Sequence, residues 1–115
     1  MAESEIQHLT FIEKILGSTD LRNNWETNGY SYMTRIGSTV IVHISIRRGT
    51  TTDGTVALIV PEEFRPPNHN QSLVIISGLN KVVNGYVTFS TIGEMKIYSV
   101  TDANNVTIDG MYLMN

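Results

Sequence analysis

Between Thr39 and Arg47 the chain alternates strictly, and this stretch constrains the fold more than any other. Val40, Val42, Ile44 and Ile46 fall on one side, and Ile41, His43, Ser45 and Arg47 on the other. Successive side chains of an extended strand point to opposite faces, so this pattern is that of a half-buried β-strand. A polar loop follows and ends at Asp53-Gly54. A short apolar stretch over 55–60 then halts at Val60-Pro61, because proline has no N–H to give to a ladder. Phe64-Arg65-Pro66-Pro67 makes an extended corner.

The same reading places further strands at 30–36, 71–77, 86–90, 95–100 and 106–114, giving seven with 39–47 and 55–60. Turn signals at Gly37-Ser38, Asn84-Gly85 and Ile92-Gly93 separate several of them. The continuous apolar run Leu73-Val74-Ile75-Ile76 reads as a strand inside a sandwich, barrel or subunit interface, where both faces are covered. Strands spaced this way predict a mainly β domain, a small antiparallel barrel or sandwich. Residues 3–16 read differently. Ile6, Leu9, Ile12, Ile15 and Leu16 recur at three- and four-residue intervals, and Gly17 follows, which predicts a short amphipathic helix. About four turns of helix are marginal alone. Its apolar stripe must therefore rest on its own domain or on copies of itself. The expected organisation is a helix and linker over 1–28 and a β-domain over 29–115. Trp25, the only tryptophan, reads as a packing anchor in the linker.

Composition narrows the chemistry. With 115 residues, 41% of them hydrophobic and 17% charged, the chain fits one folded domain. Eight Lys and Arg stand against eleven Asp and Glu, with no basic stripe, which argues against nucleic-acid binding. No cysteine is present, so disulfide and thiolate chemistry are excluded. No secretory leader is visible and no apolar run approaches the ~20 residues of a membrane helix. The chain is expected to be soluble and made in the cytoplasm. On that ground the glycosylation patterns at Asn70 and Asn105 are discounted.

Catalytic and metal signals are thin. His8, His43 and His69 share no ligand spacing, so neither a metal site nor a cofactor is expected. Glu62-Glu63 follow a proline at a strand end, where adjacent side chains point apart, and read as a solvated turn rather than a glycosidase pair. Asp109 is the most interesting carboxylate, set among apolar neighbours on the last strand, yet it has no obvious partner. One constellation stands out. On consecutive strands joined by the Gly93 turn, Tyr86 and Thr88 share a face with Lys96 and Tyr98. Aromatic rings can stack on sugar C–H faces, while hydroxyls and an ammonium bind sugar hydroxyls or phosphate. Tyr and Thr are also favoured in strands generally, so an ordinary outer face fits the same residues.

The order of these pieces resembles a known family. Arg35-Ile36-Gly37-Ser38-Thr39-Val40 leads into the alternating strand. Gly54-Thr55-Val56 and Val60-Pro61-Glu62-Glu63-Phe64-Arg65-Pro66 follow, and then the 85–98 hairpin with its Gly93 turn. Together they are similar to the C-terminal head domain of phage tail and baseplate receptor-binding proteins of phages that infect Gram-positive bacteria. In that family a leucine-proline-x-x-aromatic-arginine-proline corner joins two halves of a small β-barrel. The resemblance covers roughly residues 30–114. It implies a virion component, a homotrimer, contacts with other tail or baseplate proteins, and non-catalytic binding of bacterial cell-wall saccharide. The His and Asp that some members use in the saccharide crevice are not matched on the corresponding hairpin, which carries Tyr86 and Thr88 instead. A structural tail or baseplate module that binds only other virion proteins is the alternative. A polysaccharide-cleaving enzyme would need two converging carboxylates.

Overall fold

The computed structural model describes residues 11–75 and 85–114. Nine strands lie among them: β1 (Phe11–Ile15), β2 (Glu26–Thr27), β3 (Tyr32–Ile36), β4 (Thr39–Arg47), β5 (Thr55–Ile59), β6 (Gln71–Val74), β7 (Tyr86–Phe89), β8 (Glu94–Tyr98) and β9 (Val106–Leu113). Short 3-10 turns occupy Ser18–Asp20 and Glu62–Phe64.

The alternating segment, β4, is the centre of the first sheet. Its inward side chains Val40, Val42, Ile44 and Ile46 are fully buried, as the alternation demands. Burying each contributes about 1.5–3 kcal/mol before chain entropy is counted. Ile46 lies opposite Thr27 on one edge and Val106 on the other, so β2 and β3 share one edge of β4 and β9 covers the other. β1 adds outside β3, and every pairing is antiparallel.

The second sheet runs in the order β5-β8-β7-β6, also antiparallel. Leu58, Val87, Phe89, Met95 and Ile97 point from it into the shared core. A bulge between Val56 and Leu58 lets Ala57 and Leu58 turn inward in succession. The corner after Val60 ties the two layers together. Phe64 is fully buried beneath it. Tyr112 of β9 donates its hydroxyl to the Phe64 carbonyl, and Arg35 of β3 donates to the Glu63 carbonyl at 2.9 Å. Arg65 Nε donates to the Val60 carbonyl at 2.9 Å, and its side chain lies over Gly93. Gly93 has φ +90°, and a Cβ there would stand 2.3 Å from Arg65 Nε. The turn therefore needs glycine for both conformation and space.

All seven expected strands are present, with ends differing by a few residues, while residues 76–77 of the fourth lie outside the described residues. Two expectations are corrected. Residues 11–15 form a strand, not the end of a helix; residues 3–10 of that segment lie outside the described residues. Ile12 and Leu16 still pack on the core, but the open edge of β3 takes Phe11–Ile15 as a fifth strand and pairs its own free backbone groups with it. The sheets form a sandwich rather than a closed barrel. Where a barrel would close, Leu73 of β6 covers Gly110 of β9 so closely that a Cβ there would stand 3.1 Å from it. Side-chain packing occupies that seam, and no ladder joins β6 to β9 among the described residues. Within the described part of the 71–77 run, Leu73 packs against the core and Val74 is 65% exposed on the single chain.

Candidate functional site

The Gly93 turn sets the register of the β7–β8 hairpin. Tyr86 lies opposite Tyr98, and Thr88 opposite Lys96. The intervening Val87, Phe89, Met95 and Ile97 are fully buried, so the four residues singled out by sequence share the outer face of the second sheet. β6 extends this face, with Val74 opposite Tyr86 and Ser72 opposite Thr88.

The two tyrosine rings stack with centroids 5.0 Å apart and planes 10° from parallel. Each ring therefore covers one face of the other, and Tyr98 also lies 4.0 Å from the position of a Cβ on Gly54. The pair forms an aromatic ridge on the hairpin, with Tyr86 42% exposed. Lys96 Nζ lies 3.7 Å from Glu94 Oε1, so its charge is partly compensated on the same strand. Beside the ridge, Asp53 Oδ1 accepts the Ser99 N–H at 2.8 Å and holds the neighbouring loop. The face thus offers an aromatic ridge, hydroxyls from Thr88 and Ser72, and one ammonium with its carboxylate. Such a surface can bind a polar, hydroxyl-rich ligand through hydrogen bonds and C–H contacts with ring edges.

A second cluster, not foreseen from sequence, lies on the outer face of the first sheet. Across β1, β3, β4 and β9 runs the row Ile15, Tyr32, His43, Asp109. His43 Nδ1 is 2.5 Å from Asp109 Oδ1, with the imidazole N–H donating to the carboxylate. Tyr32 packs on the His43 ring at 5.4 Å and on Tyr30 at 5.5 Å. Asp109 thus has a partner, supplied by a strand 66 residues away. The signal available in sequence was only that both residues sit on outward positions of their strands; pairing β9 with β4 was needed to join them.

The other candidates are dispersed. Glu62 and Glu63 lie in the 3-10 turn after Pro61, where the Glu63 carbonyl accepts from Arg35. His69 sits on an exposed loop, and His8 lies outside the described residues. Among the described residues no three His, Asp or Glu side chains converge in a way that could hold a metal. Trp25 is a packing anchor as expected: it is 4% exposed, lies flat on Gly49, and donates Nε1–H to the Thr50 carbonyl at 3.1 Å.

No family model matches the sequence, and no curated protein matches it. Among solved structures, the chain is similar to the crystal structure of the receptor binding protein (gp15) of Listeria phage PSA. The TM-score is 0.74 at 17% identity, over 99% of this chain and 71% of that one. This chain therefore shares, almost from end to end, the fold of a phage receptor-binding protein.

Proposed function

We propose that this chain is the head of a phage adhesin, a virion component of the tail tip or baseplate that attaches to bacterial cell-surface saccharide without catalysis and acts as a homotrimer. The observation that carries the reading is the fold likeness to a phage receptor binding protein over 99% of the chain. The Tyr86, Thr88, Lys96, Tyr98 face supports the saccharide part, because it sets hydroxyls and an ammonium along an aromatic ridge. A weak sugar site gains from repetition, since linked copies raise overall avidity by about 10²–10⁴.

The test is sedimentation of the protein with purified Gram-positive cell walls, followed by titration with saccharide released from them. Binding is expected for the wild type, with a loss of about tenfold or more for Tyr98→Ala and for Tyr86→Ala. Wall binding that both substitutions leave intact would remove this face from the reading. No binding to any wall, with assembly into tail particles retained, would leave the structural-module alternative.

A further inference from the structure

Arg47 ends β4 on the outer face of the first sheet, and one of its donors has no acceptor. Its Nε is buried and makes no hydrogen bond among the described residues. A guanidinium N–H shut off from water without a partner is destabilising, and native proteins rarely leave one so. The nearest carboxylate does not supply the partner. Glu26 Oε1, on neighbouring β2, lies 3.7 Å from Arg47 Nε and 3.9 Å from Arg48 Nη1. A charge-assisted hydrogen bond spans about 2.7–2.9 Å. Both arginines therefore approach one oxygen, and neither closes a hydrogen bond to it.

The backbone holds the two guanidiniums together. Arg48 has φ +64°, a left-handed conformation uncommon for a residue with a side chain, and its N–H is fixed on the Ala103 carbonyl at 2.6 Å. In a continued strand Arg47 and Arg48 would point to opposite faces. The turn instead brings both side chains to the same carboxylate. On the other side, one step beyond the Ile46–Val106 pair, Asn105 stands beside Arg47. Buried Thr107 donates its hydroxyl to Asn105 Oδ1 at 3.1 Å, which leaves the Asn105 amide N–H groups to donate elsewhere. Two arginines against one glutamate give a local excess of positive charge, on a chain whose net charge is -3. The other carboxylates of this end of β9 are engaged, Asp102 by the Asn104 N–H at 2.8 Å and Asp109 by His43.

We propose that Arg47, Arg48 and Asn105 form a seat for an oxyanion, a phosphate or carboxylate group, whose oxygens accept from Arg47 Nε–H, the Arg48 fork and the Asn105 amide. Arginine suits the role because its planar fork presents donors at the spacing of such oxygens. Glu26 competes for the seat. Its side chain lies against Arg47 Nε, is 53% exposed and stands on a strand of only two residues, so it can swing outward and admit the ligand. An ion pair that served only to hold β2 on β4 would be indifferent to added anions. The seat is on the first sheet, apart from the Tyr86–Tyr98 face of the second, and it does not rest on the saccharide reading.

The experiment is an NMR titration of the full chain with sodium phosphate and, separately, sodium acetate, at fixed pH and at ionic strength held constant with sodium chloride. The signal followed is the Arg47 Nε–H resonance. A saturable shift is expected, and the anion that binds more tightly identifies the preferred oxyanion. Arg47→Lys keeps the charge but loses the fork, and should weaken binding by about tenfold or more, read from the backbone amides of the loop. Arg48→Gln should weaken it in the same direction, and it reads the seat where Arg47→Lys fails to fold by circular dichroism. Glu26→Ala removes the competitor and should tighten binding roughly 2–5-fold. Tyr98→Ala should leave the titration unchanged, so loss of wall binding and loss of the oxyanion seat are separable. Shifts that only track ionic strength, arginine variants that titrate like the wild type, or a Glu26→Ala variant that binds no more tightly overturn the proposal.

Discussion

Replacing Gly49 by alanine tests how Trp25 is seated. A Cβ at Gly49 would lie 2.0–2.2 Å from Cδ2, Cγ and Cε2 of the indole. Carbon atoms rest at about 3.5–4.0 Å, so the ring must withdraw by roughly 1.5 Å or more. The ring is 4% exposed and holds the Thr50 carbonyl through Nε1. Losing that bond costs about 1 kcal/mol. Complete removal of a buried aromatic costs about 3–5 kcal/mol, which bounds the packing loss from above. Alanine returns about 0.4–1 kcal/mol by stiffening the unfolded chain. The expected net cost is about 2–3 kcal/mol. With an unfolding entropy of about 2.1 cal/mol/K per residue, that lowers Tm by roughly 8–12 °C. Trp25 is the only tryptophan, so urea unfolding followed by its fluorescence reads stability and local seating in one titration. The folded variant should also emit at longer wavelength. In a Trp25→Ala background, followed by circular dichroism, Gly49→Ala should lose most of its cost. A change below about 0.5 kcal/mol with an unmoved emission maximum would refute the reasoning, since surface-like substitutions fall in that range.

Two further substitutions probe the corner. Tyr112→Phe leaves the buried Phe64 carbonyl without its donor and should cost about 1–3 kcal/mol in urea unfolding. Burial pushes the Tyr112 phenol above its ordinary value. Above the unfolded value of 10.0 the unfolded chain loses that proton first. The contribution is therefore complete below pH 10 and is lost as pH rises towards the folded value. Tyr112→Phe should flatten the alkaline fall in stability by up to about 1.4 kcal/mol per pH unit, and an unchanged slope between pH 10 and 11.5 would count against the assignment. Gly93→Ala forces a side chain into φ +90° and against Arg65, and should lower stability by about 1–3 kcal/mol; a neutral result would mean that the turn and Arg65 move freely.

Much of this architecture was readable because period-2 patterning is strong wherever one sheet face is buried. Val40 to Ile46 and the 86–98 hairpin show it, and the Gly93 turn fixes which outward residues of β7 and β8 meet. What was not readable depended on partners distant in sequence. Ile12, Ile15 and Leu16 satisfy a helical spacing, and only the open edge of β3 decides that Phe11–Ile15 runs extended. β2 is two residues long and carries no periodicity. Barrel or sandwich turns on how the edges of the two sheets meet, and at the β6–β9 seam Leu73 packs over Gly110 without a ladder. The His43–Asp109 pair was hidden for the same reason, because alternation shows which way each side chain faces but not which strand lies beside it. At the candidate face, sequence brought Tyr86 and Tyr98 together but not their mutual stacking, which turns two platforms into one ridge.

The ladder between β4 and β9 has a consequence for how the chain is made. Thr39 pairs with Leu113, so the central ribbon waits for the last residues described before its second edge is capped. Until they leave the ribosome, that edge of the nascent chain is unsatisfied and sticky, and contacts this distant are slow to form. Translation pauses over the codons of β9 would prolong that exposure and favour clumping during synthesis over any loss of stability once folded.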